Sequence, residues 1–366
     1  MRVNSFKANN FRNIKSIEFS PCENINIIYG ENAQGKTNLL EGIWLFTGCR
    51  SFRSSKEQDF IKFDNSFASL ELDFFGNCRD QIAKISIEDK RKAQLNGVSL
   101  QSSSKLVGEF FAVIFAPTHL SLIKDGPSQR RKFLDIALSQ LKPRYANALS
   151  QYNRAILQRN ALLKDITYHS ELLDTLEIWD EKLCSIGTVI TAERIRYIKR
   201  LEPFIEEIYG GLSNGKEVMK VSYQTQMKIN SKTEKELKQE LLEQLKITRK
   251  QDIFSGTTSI GPHRDDLKIE IDGLLARSFG SQGQQRSCAL SLKLAEAEII
   301  KNITGQQPVA LLDDVMSELD NTRQDYILNH IRGRQVFITC CDPSMLLKMS
   351  GGKAFEIKEG AICTCI

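Results

Sequence analysis

The stretch GENAQGKT, Gly30 to Thr37, decides how this chain is read. It fits the pattern G-x-x-x-x-G-K-[ST]. It stands between a short apolar run, NINIIYG (Asn24–Gly30), and KTNLLEGIWLF (Lys36–Phe46), whose apolar residues recur at helical spacing. A strand, a glycine-bearing turn and a helix in that order wrap consecutive backbone N–H groups around an anion, with the positive end of the helix dipole behind them. The motif predicts an ATP site lined by Gly30, Glu31, Asn32, Ala33, Gln34, Gly35, Lys36, Thr37 and Asn38. In such a site Lys36 reaches the β- and γ-phosphates and the Thr37 hydroxyl ligates Mg2+.

Far downstream, VALLDD (Val309–Asp314) is an apolar run ending in two carboxylates. A strand of that kind delivers its acids to the carboxyl edge of a sheet, beside the phosphate loop. Asp313 is expected to hold the Mg2+ shell, and Asp314 to orient or deprotonate the attacking water. Capping the next helix is the other use for such a pair. SELD (Ser317–Asp320) follows, where it caps or bridges at a subunit contact.

A third piece, SQGQQ (Ser281–Gln285), opens a long run without Gly or Pro. Ser281, Gly283 and Gln284 therefore stand at a helix N-terminus, where exposed N–H groups favour an anion. One phosphate loop needs no second for the same γ-phosphate. The economical expectation is a symmetric homodimer in which each SQGQQ faces the partner's nucleotide. An ordinary capped helix is the alternative.

The 366 residues allow more than one lobe, and 41% apolar with 26% charged residues is an ordinary globular balance. The longest apolar run, FFAVIFA (Phe110–Ala116), is too short to span a bilayer, and the N-terminus lacks the apolar core of a secretory signal. A cytoplasmic protein with no membrane partner is expected. Nine cysteines without C-x-x-C spacing read as reduced thiols.

Strand-like runs at FASLELDFF and IAKISIE, with an Asn96-Gly97 hairpin turn, make the first lobe mixed. From Arg130 to about Tyr209 breakers are few. Helices are expected there, the longest about 40 residues or roughly 60 Å, ending at Gly210–Gly211. A charged helix follows at Thr233–Lys246, and Asp272–Gly273 marks a second hairpin. Strands alternating with helices imply an α/β fold with a largely parallel sheet covered on both faces. The expected division is 1–125, a helical arm 126–252, and 253–366.

The net charge of +5 is uneven: residues 124–164 carry nine Lys or Arg against two Asp. Arg130, Arg131 and Lys132, then Arg144, Arg154 and Arg159, have Phe133, Tyr145 and Tyr152 interleaved, and Arg50, Arg53 and Lys56 form a second group. Such clusters suit sequence-independent binding to DNA phosphates, weakened by salt. A solvated helix face gives the same pattern. In GPHRDDL (Gly261–Leu267), His263 with Asp265 and Asp266 reads either as an acid–base or metal site or as polar side chains fixing a turn. Arg12 is placed to approach the nucleotide.

The phosphate loop with Asn38-Leu39-Leu40-Glu41, the S-x-G-Q-Q piece and LLDD-x-x-SELD resemble the ABC-type ATPase heads of the SMC and Rad50 group. NNFRNI (Asn9–Ile14), GCRSFRSS (Gly48–Ser55), GPSQRRKFLD (Gly126–Asp135) and GPHRDDL narrow the resemblance to the RecF family of bacterial recombination and repair proteins. The resemblance runs from the first strand to about residue 342. It implies an ABC-type head split by a short helical arm, ATP-dependent dimerisation, slow hydrolysis and DNA binding. It also implies work with RecO and RecR in loading RecA at gaps, and a part in the SOS response. Thr118-His119 departs from the acidic residues of many relatives. Cys340-Cys341 departs from threonines, leaving Thr339 as the candidate γ-phosphate sensor. Two other readings are an ATPase powering a transporter, disfavoured by the arm and the basic charge, and an ATP-gated scaffold with incidental hydrolysis.

Overall fold

The computed structural model describes residues 1–53, 56–228, 233–341 and 351–365; Ser54 and Ser55 of the GCRSFRSS stretch lie outside it. The chain opens with β1 (Arg2–Phe11), β2 (Ile14–Phe19) and β3 (Ile25–Tyr29), then α1 (Lys36–Leu45). β4 (Ala68–Gly76), β5 (Arg79–Ile87), β6 (Arg91–Leu95), β7 (Val98–Leu100) and β8 (Ala112–Phe115) follow. Helices then take over with α2 (Ser121–Lys124), α3 (Pro127–Leu141), α4 (Pro143–Ile166) and α5 (Leu173–Ser213), before β9 (Met219–Gln224) and α6 (Glu234–Ser255). Next come β10 (Asp266–Ile271), β11 (Leu274–Leu275), α7 (Ala276–Phe279) and α8 (Gln282–Thr304). The last elements are β12 (Val309–Asp313), α9 (Asn321–His330), β13 (Val336–Cys340), β14 (Lys353–Lys358) and β15 (Ala361–Cys365).

Two compact units emerge. The first comprises Met1–Leu120, Glu207–Lys216 and Arg286–Ile366. One of its sheets runs β15-β14-β3-β13-β12-β8, parallel throughout except for β15. β8, β12 and β13 are buried along their whole length, as apolar strands covered on both faces must be. Because β3, β13 and β12 are parallel neighbours, their carboxyl ends share one edge. That edge carries the phosphate loop and the carboxylate pair.

The second sheet of this unit, β2-β1-β4-β5-β6-β7, is antiparallel and has as many strands. Its strands bury alternate residues: Phe6, Ala8, Leu70, Leu72, Phe74, Ala83 and Ile85 face inward. β1 is hard to see in sequence because its register shifts between Val3 and Ser5, which breaks the two-residue period. The Asn96-Gly97 turn forms as expected, with φ 51° and 81°, the conformation a tight hairpin requires.

The second unit, Ser121–Glu206 with Glu217–Gln285, combines α3, α4, most of α5 and α6 with the small antiparallel sheet β11-β10-β9. The Asp272-Gly273 hairpin forms there, with φ 49° and 82°. α5 spans 41 residues, about 60 Å at 1.5 Å per residue. It does not stop at Gly210–Gly211 but continues through both to Ser213. At Gly211 a Cβ would sit 2.4 Å from the Tyr326 ring, so the glycine serves close packing at a propensity cost of about 1 kcal/mol.

Candidate functional site

β3 ends at Tyr29 and α1 begins at Lys36, so the motif lies on the connection its spacing requires. Gly30, Ala33 and Gly35 take φ of 150°, 64° and 110°, turning the backbone in tight succession. Lys36, 5% exposed, curls back over the loop, its Nζ donating to the carbonyls of Gly30 at 2.7 Å and Glu31 at 2.9 Å. Its third contact is the Cys341 thiol at 3.4 Å, and that thiol also reaches the Asn32 side chain. Cys341, a departure from the family pattern, thus stands at the loop itself.

The Thr37 hydroxyl donates to Asp313 Oδ1 at 2.8 Å. Sheet register brings Asp313 level with Thr339, whose hydroxyl lies 3.0 Å from the same oxygen and accepts from the Asp314 backbone N–H at 2.9 Å. Thr339 is 1% exposed and braces both acids from behind the strand ends. Burial pushes the Asp313 carboxyl above the usual range, opposed by the Thr37 and Thr339 hydroxyls, and the neighbouring Asp314 raises it further. A hydroxyl beside a carboxylate of this kind is a hard-oxygen pair that fits Mg2+. Asp314, half-buried, follows with φ 50°.

Beside the loop, Glu41 is fully buried and accepts from Arg12 Nε at 3.0 Å and Nη2 at 2.9 Å, together with the Ser51 hydroxyl. Arg53 lies 3.6 Å from the same carboxylate and donates to Asn38 Oδ1 at 2.5 Å. Arg12 and Arg53 therefore flank α1. The sequence alone placed neither Glu41 nor Ser51 in this cluster. A glutamate inside an otherwise apolar helical run was the available signal. Arg50 is exposed.

Ser281 caps α8: its Oγ accepts from Gln284 N at 3.2 Å, while Gln284 Oε1 accepts from Ser281 N at 2.7 Å. This reciprocal pair fixes the helix start. Gln285 donates to the carbonyls of Ala276 and Arg277.

The basic segment divides by burial. Arg130 is 5% exposed, holds Asp266 with two bonds at 2.7 and 2.8 Å, and donates to the carbonyls of Leu122 and Asp125. The reading of Arg130 as a DNA phosphate ligand is corrected on that ground: its donors are committed inside the fold. Arg159, fully buried between Asp180 and Asp252 at 2.8 Å each, is likewise structural. Arg131 is half-buried and donates to the Asp265 carbonyl. Arg144 and Arg154, on α4, are exposed.

GPHRDDL is a turn held by side chains on several elements. Arg194 donates to the Pro262 carbonyl, Tyr152 meets His263 Nδ1 at 2.9 Å, and Tyr223 donates to Asp265 at 2.6 Å. Burial lowers the His263 pKa to about 4, so the ring stays neutral. These bonds fix the turn through its polar side chains.

Among the described residues no helix is long and apolar enough to cross a membrane. A phosphate loop, the Thr37 hydroxyl beside the Asp313 carboxylate and a capped S-x-G-Q-Q helix define an ATP-binding head of the ABC type. Comparison with known proteins agrees. The family described as AAA domain matches residues 5–255. The DNA replication and repair protein RecF of Acetivibrio thermocellus is 42% identical over 99% of both chains. That of Lachnoclostridium phytofermentans is 40% identical over 93% of this chain and 92% of its own. A solved structure of the recombination mediator protein RecF-ATPrS in the RecFOR pathway superposes with TM-score 0.93 at 37% identity, over 98% and 97% of the chains. The Smc head of Pyrococcus furiosus, at 15% identity and TM-score 0.57 over 100% and 96%, shares the fold. This chain belongs to the RecF family of DNA replication and repair proteins.

Proposed function

We propose that this chain is a DNA-binding ATPase of recombinational repair and replication restart that works as a nucleotide-operated switch. One observation carries the reading: Thr37 and Asp313 meet at 2.8 Å beside the Lys36 phosphate loop. Lys36 and the inward N–H groups from Gly30 to Asn38 bind the phosphates of ATP. Thr37 and Asp313 hold Mg2+, which neutralises charge developing on the transferred phosphoryl group. Asp314 orients the attacking water and accepts its proton. Hydrolysis is weak and serves to end a state.

That state is a homodimer in which Ser281, Gly283 and Gln284 of one copy close over the nucleotide of the other. The exposed start of α8 supports this reading, since the positive end of a helix dipole favours an anion. DNA is gripped without regard to sequence by the exposed cations Arg50 and Arg53 in the head and Arg144 and Arg154 on the arm 126–252, together with half-buried Arg131. RecR- and RecO-type proteins are the partners, RecA loading at gaps and the SOS response the consequences, and the cytoplasm the location. Light scattering of Asp314→Asn with and without ATP and Mg2+ tests the switch. A mass that doubles with ATP supports the shared site; a mass indifferent to ATP returns Ser281–Gln285 to a simple helix cap.

A further inference from the structure

The phosphate loop does not stand on its own glycines alone. On one side lies the turn between β1 and β2. Asn13 donates from Nδ2 to the Ala33 carbonyl at 2.9 Å, and its Oδ1 accepts from Asn38 at 2.7 Å. A Cβ at Gly35 would fall 2.8 Å from that same Oδ1. On the other side lies the turn joining β14 to β15. Glu359 N–H donates to Gln34 Oε1 at 2.5 Å and Gly360 N–H donates to the Gln34 carbonyl at 3.0 Å. Glu359 and Gly360 have φ of 51° and 73°, the conformation that aims both amides at one residue.

The fit is close at each end. β14 runs parallel to β3, the strand that feeds the loop, so that a Cβ at Gly30 would meet the Ile357 carbonyl at 2.3 Å. A Cβ at Gly360 would meet the Asn13 carbonyl at 2.7 Å, so the two flanking turns also touch each other. Between them they grip Ala33 and Gln34, the middle of the loop. Ala33 is the loop's non-glycine residue with φ in the left-handed region, a conformation that costs free energy unless its surroundings impose it.

We infer that the C-terminal hairpin, β14 with β15, is a working part of the nucleotide site: its Glu359–Gly360 turn, opposed by Asn13, holds Gln34 and Ala33 so that the loop's N–H groups are aimed before nucleotide arrives. The inference rests on the reading of this loop as the ATP site. Gln34 and Asn13 are positioning residues here, acting through the loop backbone. An ordered loop binds without having to pay the cost of ordering, so loosening the clasp lowers affinity more than it lowers turnover. It also ties the nucleotide site to β15, the outermost strand of its sheet.

The test is binding of N-methylanthraniloyl-ATP with Mg2+ to four variants, alongside turnover and nucleotide-free melting. Gln34→Met keeps the side chain's length and deletes its acceptor. Asn13→Ala deletes the opposite prop. Gly360→Ala strains the turn, and Gly352→Ala is the control. Gly352 has φ 149°, its Cβ would meet the Ile25 carbonyl at 2.6 Å, and it lies in the segment entering β14, away from Gln34.

Gln34→Met, Asn13→Ala and Gly360→Ala are expected to weaken binding about three- to tenfold, the scale of one lost hydrogen bond. Turnover at saturating ATP should stay near wild type in Asn13→Ala and Gly360→Ala, whose substituted side chains lie outside the phosphate loop. Gly352→Ala should lower melting and leave affinity unchanged. Equal losses of affinity in Gly360→Ala and Gly352→Ala would reduce the hairpin to a stabilising strand pair. Weakening by Gln34→Met with normal binding by folded Gly360→Ala would make Gln34 a direct nucleotide contact instead. If Gly360→Ala does not fold, unchanged affinity in Asn13→Ala overturns the clasp. Failure of the wild-type chain to bind overturns the ATP reading itself, whereas wild-type binding that equals all variants overturns the clasp alone.

Discussion

The Thr37 hydroxyl and the Asp313 carboxylate, 276 residues apart in sequence, share a 2.8 Å hydrogen bond. β13 makes this possible. It lies between β3 and β12, pairs with both in parallel, and sets Thr339 level with Asp313 on one side and Ile28 on the other. The loop after β3 and the acids ending β12 then converge across a single strand.

Lys36 donates to the loop's own carbonyls and sits almost wholly inside it. Charge-assisted bonds to phosphate contribute about 1.5–3 kcal/mol. Lys36→Ala should therefore weaken ATP about ten- to a hundredfold and abolish ATP-dependent dimerisation. Isothermal calorimetry showing wild-type affinity would remove Lys36 from the site.

Asp314→Asn keeps the size of the side chain and removes its basicity. Turnover should fall about 10²- to 10⁴-fold while nucleotide still binds, and the dimer should accumulate with ATP. Normal phosphate release by this variant would assign the base elsewhere.

Thr339 braces the Asp313 carboxylate and the Asp314 backbone N–H from an almost fully buried position. Thr339→Val fills the same volume but strips a partner from Asp313 and from the Asp314 N–H. A stability loss of about 1–3 kcal/mol is expected from the unsatisfied groups, read by denaturant titration. An undiminished midpoint would show that the brace is dispensable.

Arg130→Ala breaks a buried ion pair and should destabilise the chain by about 3–5 kcal/mol. Arg144→Glu with Arg154→Glu should leave stability alone and weaken DNA binding. Losing two phosphate contacts should also lower the slope of log affinity against log salt by about 2. DNA affinity equal to wild type at matched salt would leave α4 as a solvated face.

His263 supplies a pH signature. Its pKa is about 4 in the folded chain because burial disfavours the imidazolium, against roughly 6.5 in the unfolded chain. Below pH 6.5 the unfolded chain takes up a proton that the folded chain refuses, so stability falls as pH drops from about 6.5 toward 4, by at most ~3 kcal/mol. His263→Gln should flatten that part of the melting curve. Parallel pH profiles for the two proteins would count against it.

Much of this was legible in the chain. GENAQGKT, VALLDD and SQGQQ each declare a local structure, because a nest of N–H groups, a buried strand with acids at its end and a helix N-terminus depend on neighbours in sequence. The two hairpins at Asn96-Gly97 and Asp272-Gly273 formed for the same reason. β1 shows no clean two-residue period because a register shift interrupts its alternation, and α5 runs through two glycines because close packing at Tyr326 outweighs their helix propensity.

The cations show the limit most clearly. Arg130, Arg144 and Arg159 look alike in sequence, yet Arg130 and Arg159 are ion-paired inside the second unit and Arg144 faces water. Charge is a property of the residue; whether that charge is already satisfied depends on which carboxylates the fold brings to it. An ATP-binding head, its loop, its acids and the approximate length of its longest helix follow from local residue patterns. That Asp266 neutralises Arg130, that Thr339 braces Asp313, and that a turn at Glu359–Gly360 grips Gln34 are consequences of folding. Those contacts join segments far apart in the chain, and no local pattern of residues encodes a meeting between distant strands.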